Sequence, residues 1–254
     1  VVGTSFTPSA FLRAFPAGHS RAKGRGQFSG MLHAYILYQS VLKRTGLEGM
    51  EQEACRRILR RKLRKRPFSK AGLELMDHHR AHAEGAYRTQ ERDRCLVLTL
   101  DAMGDGTTAT AWLGGGGRLE LVGAQSGLAG LNLFYSRVTE FLGFTPLRHE
   151  GKITGLAARA EPVPGLLGHF RQALAFQNGS FARMPLRPAQ RDDPFWSRLQ
   201  AYSREEVAAT AQAVLEECAL DFARYWMEHT GCGDLALAGG VFANVRLNQR
   251  LAQL

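Results

Sequence analysis

An α/β fold built on a mixed sheet is the class this sequence predicts, on three observations. Amphipathic stretches of helical length alternate with short, nearly continuous apolar runs such as Cys95-Leu96-Val97-Leu98-Thr99-Leu100, the pattern of strands buried on both faces. That run stops at a turn rich in Asp and Gly and is followed by two further strand-like segments around a tetraglycine, so antiparallel strands enter the sheet here. A long amphipathic stretch then leads, through Gly231 and Gly233, to a second buried run, Leu235-Ala236-Leu237-Ala238, and another glycine turn. With 254 residues, 44% hydrophobic and 22% charged, the chain can bury the core of one large domain or two lobes.

Taken in order, Val1 to about Gly26 reads as a polar loop punctuated by Pro8 and Pro16. Two helices are predicted at 28–46 and 48–65, around Gly46 and Gly49, and Pro67 closes the second. A short helix at 69–76 leads into Asp77-His78-His79-Arg80-Ala81-His82, which continues helical through Tyr87. After the strand at Cys95–Leu100, Thr107–Leu113 and Leu119–Gln125 read as strands joined by Gly114 to Gly117. Residues 131–143 and the segment after Gly151 are helical, and 176–200, with Pro185, Pro188 and Pro194, is irregular. A helix at 203–230 carries Ser203 as N-cap and Glu205 and Glu206 in its first turn; a last helix spans 242–254.

Several classes are excluded. The sequence has no apolar run of 18 residues, so no transmembrane helix is predicted. It opens on Val1-Val2-Gly3 with no charged segment followed by an apolar one, so no signal peptide is expected, and the missing methionine suggests part of a longer chain. Cys55, Cys95, Cys218 and Cys232 are scattered without CxxC spacing, which points to reduced thiols in a cytoplasmic protein and away from a cysteine zinc site.

The net charge of +10 is local. Residues 1–70 hold 15 Lys/Arg against 3 Asp/Glu (+12), and residues 71–254 hold 18 against 20 (−2). The basic run from Arg56 and Arg57 through Arg60, Arg61 and Lys62 to Arg64, Lys65 and Arg66 falls on a predicted helix with Ile58, Leu59 and Leu63 as its apolar stripe. A solvated face is the commoner meaning of such a run; RNA, DNA or a phosphorylated substrate is the other. No aromatic residue is interleaved with the arginines, which speaks against stacking on single strands, and nucleic acid is not the expected partner.

Four segments could carry chemistry. His78 and His82, four apart, share one helix face and can hold one metal ion, whereas His79 points elsewhere; surface histidines are the plainer reading, and no neighbour is an obvious third ligand. Asp101, with Gly104, Asp105, Gly106 and Thr107, suits a phosphate and divalent-cation site or a tight hairpin turn. Gly239 and Gly240, followed by Asn244, sit between a strand and a helix, where free N–H groups can meet an anion. Lys152, between Gly151 and Gly155 before a helical stretch, can meet phosphate as a point charge, although a surface lysine is commoner.

Four blocks in this order, HHRAHAEGAY at 78–87, LTLDAMGDG at 98–106, FYSRVTEFLGFTPLRHEGKITGLA at 134–157 and LALAGGVFANVRLNQRL at 235–251, resemble the carbamoyltransferase family that includes nodulation-factor, tobramycin and cephalosporin carbamoyltransferases. The resemblance covers the chain from near residue 75 to the C-terminus. It implies actin/hexokinase/Hsp70-like (ribonuclease H-like) lobes, related to the tRNA threonylcarbamoyl-transfer ATPases, with 1–70 as a basic, mainly helical part of the first lobe and 71–254 as the core. It implies a two-step reaction: ATP and carbamoyl phosphate give carbamoyl-adenylate in a separate adenylate-forming domain, and the actin-like domain passes the carbamoyl group to the hydroxyl of a small molecule.

By the same resemblance His78 and His82 match metal-binding histidines, with iron or another divalent ion expected and Mg accompanying ATP. Asp101 and Gly104 to Thr107 match a phosphate-facing turn; Gly239, Gly240 and Asn244 match a nucleotide-contacting turn; Lys152 matches an adenylate or substrate contact. Relatives carry glycine where this chain has Ala102. They also have an opening strand pair before the region matching residue 1, and, beyond that matching Leu254, a Gly-Asp-Gly segment whose aspartate completes the metal site. The alternatives are a tRNA threonylcarbamoyl-transfer-like protein and an inactive nucleotide-binding scaffold.

Overall fold

The computed structural model describes residues 2–5, 38, 41, 45, 47–64, 70, 72–126, 130–181, 189 and 193–254. The first element is a strand, Val2–Ser5 (β1), where the sequence predicts loop; most of the predicted loop 1–26 and helix 28–46 lies outside the described residues. Glu48–Leu63 (α1) forms the predicted basic helix. The expected helix at 69–76 is instead a strand, Leu73–Met76 (β2), paired parallel with β1 in the register Val2↔Leu73 to Ser5↔Met76. Its residues are good helix formers, but a parallel partner some seventy residues earlier overrides local propensity.

His78–Thr89 (α2) follows at once. The Asp77 side chain caps it by accepting the Arg80 N–H at 2.9 Å. The sheet is then laid down by Cys95–Gly104 (β3), Thr107–Gly115 (β4) and Arg118–Ser126 (β5). Leu131–Phe141 (α3), Glu150–Ala157 (α4) and Pro164–Ala173 (α5) come next. The segment 176–200 is more ordered than its prolines suggest: it contains a two-residue hairpin, Phe176–Gln177 (β6) with Ser180–Phe181 (β7), the short helix Pro194–Ser197 (α6) and a 3₁₀ turn at Arg198–Ala201. Arg204–Thr230 (α7) begins at a full capping box between Ser203 and Glu206 and ends at Gly231, whose φ of 57° only glycine adopts freely. After Leu235–Ala238 (β8), the predicted single helix is split into a 3₁₀ turn, Gly240–Ala243, and Val245–Leu251 (α8), because the Asn244 side chain turns back to cap the second piece.

The four-stranded sheet has the order β5-β4-β3-β8, antiparallel between β5, β4 and β3 and parallel between β3 and β8. It is therefore mixed, with helices on both faces. Side chains alternate along β3: Leu96, Leu98 and Leu100 enter the large core with Phe134 on α3 and Ala211 and Leu215 on α7, while Cys95 and Val97 meet Ala83 and Tyr87 of α2 on the other face. Burial on both sides is why β3 reads as a nearly continuous apolar run. No helix among the described residues is long and apolar enough to cross a membrane.

Candidate metal centre

β3 and β4 keep register from Cys95↔Gly114 to Leu100↔Ala109, then slip before Gly104↔Thr107. That bulge re-aims the end of β3 toward the first turn of α2. Asp101 Oδ2 lies 2.8 Å from His78 Nε2 and 2.9 Å from His82 Nε2, and the two imidazole nitrogens are 3.1 Å apart. The expectation that the chain lacks a nearby third ligand is thus corrected: Asp101, expected to face phosphate, meets both histidines. Helical spacing aligns the histidines, and the sheet brings the carboxylate to them.

These donors fit a divalent ion. Ligand atoms on adjacent corners of an octahedron, each ~2.1 Å from the metal, are about 3 Å apart, which is the spacing of this trio. Two imidazoles and one carboxylate occupying a single face is also the donor set of non-haem iron centres. The cluster is the group with metal-ligand geometry among the described residues. Side-chain exposures of 22% for His78, 35% for His82 and 18% for Asp101 leave a path in from solvent. Burial would push the Asp101 carboxyl up, but bonds from His78, the Ala102 amide and His82 hold it well below the ordinary carboxylate range. Its bond to Asp101, opposed by burial, raises His78.

The surroundings are close-fitting. A Cβ on Gly104 would fall 2.2 Å from the His78 ring, so only glycine lets that ring sit there. Asp105, at φ 50°, accepts the His78 N–H at 2.8 Å and anchors the start of α2. His79, expected to point elsewhere, does so into the core: it is fully buried, with Nδ1 2.6 Å from Thr99 Oγ1 and Nε2 2.9 Å from the Thr107 carbonyl. Burial lowers its pKa to about 4. The signal for it was Thr99, a polar residue set in the otherwise apolar run Cys95–Leu100.

The glycine turn after β8 joins the same region. Gly239, at φ 100°, passes so near β3 that a Cβ would lie 2.3 Å from the Leu100 carbonyl oxygen, and a Cβ on Gly240 would lie 3.1 Å from Asp101 Oδ1. Gly104, Asp105 and Gly240 therefore border the trio, and Gly239 packs on the adjoining backbone of β3. Asn244 is drawn inward: its amide meets Gln212 at 2.9 Å and Thr154 at 3.4 Å while capping α8. Lys152 lies exposed on α4 with its ammonium 5.7 Å over the Phe144 ring, and no hydrogen bond or ion pair among the described residues joins it to the trio.

Comparison with known proteins gives this arrangement its context. A family model described as the carbamoyltransferase N-terminus matches residues 26–254. An uncharacterized protein of Synechocystis, sll1178, is 30% identical over 200 residues, covering 70% of this chain and 32% of its own length. The nodulation protein NolNO of Sinorhizobium fredii is 26% identical over 191 residues (70% and 27%), and the nodulation protein NolO of Bradyrhizobium diazoefficiens 27% over 186 residues (69% and 33%). The chain thus spans about a third or less of the length of these relatives. With a family match over nearly all of its described sheet and helices, this chain belongs to the carbamoyltransferase N-terminus family.

Proposed function

We propose that the protein carrying this chain is an ATP-dependent O-carbamoyltransferase, moving a carbamoyl group from carbamoyl-adenylate to the hydroxyl of a sugar or other small metabolite. The observation that carries the reading is the His78–His82–Asp101 trio, set beside the Gly239–Gly240 turn in a chain of this family. In this reading residues 1–70 and 71–254 contribute to actin-like lobes, and an adenylate-forming domain lies elsewhere in the protein.

His78, His82 and Asp101 would hold a divalent ion, iron by its donor set. Such an ion supplies Lewis acidity for a carbonyl or phosphoryl oxygen. Asp101 stays ionised, so the trio keeps its negative ligand without help from solvent. Glycines at 239 and 240 let the turn after β8 pack against Leu100 and Asp101 at the strand end, so that its backbone N–H groups would lie near a phosphate bound at the trio, and Asp105 ties the turn after β3 to the start of α2. Lys152 would meet the substrate end of the adenylate from α4. The basic face of α1 is the one feature that favours a tRNA acceptor instead.

The test uses the protein from its complete gene, with ATP, carbamoyl phosphate, Fe(II) and a panel of sugars, aminoglycosides and tRNA. Release of AMP together with an acceptor heavier by one carbamoyl group is expected, and His78→Ala should abolish it. A complete protein that makes neither AMP nor product with any acceptor overturns the proposal, and a product on tRNA alone shifts it to the other acceptor class.

A further inference from the structure

Behind the trio runs a chain of buried polar groups whose direction is set by chemistry. The Thr107 carbonyl can only accept, so His79 Nε2 carries a hydrogen and donates to it. In the neutral ring Nδ1 is then bare and must accept from Thr99 Oγ1, 2.6 Å away. The Thr99 hydroxyl hydrogen being used, Thr110 donates to Thr99 at 2.5 Å, and the Trp112 indole N–H donates to Thr110 at 2.6 Å. Each member has one role, and the order Trp112 to Thr110 to Thr99 to His79 to the Thr107 carbonyl admits no reversal. Thr99, Thr110 and His79 are buried at 0%, 4% and 0% exposure, so water cannot substitute for a lost partner.

The chain ties α2 to β3 and β4 at one point in sequence. His79 lies about 100° round the helix from His78 and points into the sheet while His78 faces Asp101. A rotation or slip of α2 that misplaced His78 and His82 would also pull His79 from both of its partners. An apolar side chain at 79 would fill the space but tolerate such a slip. The same strand supplies both anchors, since Thr99 holds His79 and Asp101, two residues on, meets the ligand histidines.

We propose that His79, fixed by the Thr99–Thr110–Trp112 hydrogen-bond chain, is a positioning residue that sets the metal-binding face of α2 against Asp101. This rests on the metal reading above. Groups bonded directly to a ligand commonly change metal affinity by 10- to 100-fold, and His79, which acts one step further out through the helix, is expected at the lower end of that range, about 10-fold.

Co(II) titration of the complete protein, followed by its visible ligand-field bands, tests it. Thr99→Val keeps the side-chain volume and removes the donor to His79; it should weaken Co(II) binding about 10-fold and alter the bands. Thr99→Ser should restore both, and Thr110→Val, one step further back, should give a smaller loss in the same direction. Thr210→Val, which removes another buried hydroxyl, on α7, should lower Tm and leave the Co(II) spectrum and affinity unchanged. Should Thr99→Val or, if that variant does not fold, Thr110→Val bind Co(II) with wild-type affinity and spectrum, the positioning role is wrong while the metal reading stands. Should the wild-type protein take up no Co(II), the metal reading fails and the inference falls with it.

Discussion

Gly104 shows how much of the candidate centre depends on a single missing atom. A Cβ there would sit 2.2 to 2.6 Å from three atoms of the His78 side chain, so the ring would have to move from its place 2.8 Å from Asp101. Gly104→Ala should therefore weaken Co(II) binding by about tenfold or more while the sheet still forms, measured by titration beside a thermal melt. An unchanged affinity would mean that His78 can shift and still ligate. The need for glycine here was not legible in the sequence, where Gly104 reads equally well as part of a tight Asp–Gly turn.

At the scale of the element, α7 was the most legible feature of the chain. Ser203 accepts the Glu206 N–H while the Glu206 carboxylate accepts the Ser203 N–H at 2.8 Å, and Gly231 closes the other end. These are local signals between near neighbours, so the sequence carries them in full. Ser203→Ala should cost about 1 kcal/mol, seen as a lower urea midpoint at constant m. β2 is the opposite case. Its helix-forming residues pair with Val2–Ser5, and nothing local to residues 69–76 announces that partner. Asn244 stands between: a capping residue inside an apparent helix was a visible hint that the helix begins there.

For the whole molecule, the large core between the sheet and α3, α5 and α7 carries a pH dependence through His169. Its ring stacks on Phe195 at 4.2 Å, and its Nε2 donates to the Phe195 carbonyl at 2.9 Å, leaving Nδ1 buried with no acceptor for a second proton. Burial lowers its pKa below the ordinary value of about 6.5. The unfolded chain therefore binds the proton more readily, so this contribution to stability is full above pH ~6.5 and declines as pH falls toward the folded-state value. Urea titrations at pH 7.5 and 5.5 should show a larger loss for the wild type than for His169→Gln, which keeps a donor for Phe195 and does not titrate. Equal losses in the two proteins would remove His169 as the cause.

The sequence by itself determined the α/β class, the double-sided burial of β3, the cap of α7 and the family, because each is written in periodicity or in contiguous blocks; β8, read as a buried strand, is only partly buried at the edge of the sheet. It also determined that His78 and His82 share a face, a consequence of helical pitch alone. Only the tertiary structure decided that Asp101 joins them, that His79 is held from behind by Thr99, and that the Gly239–Gly240 turn passes beside the same carboxylate. Those groups lie 19 to 23 residues apart for the trio and much further for the turn. Their meeting depends on a bulge at the end of β3 and on the parallel pairing of β8, and such long-range contacts leave no mark in local spacing.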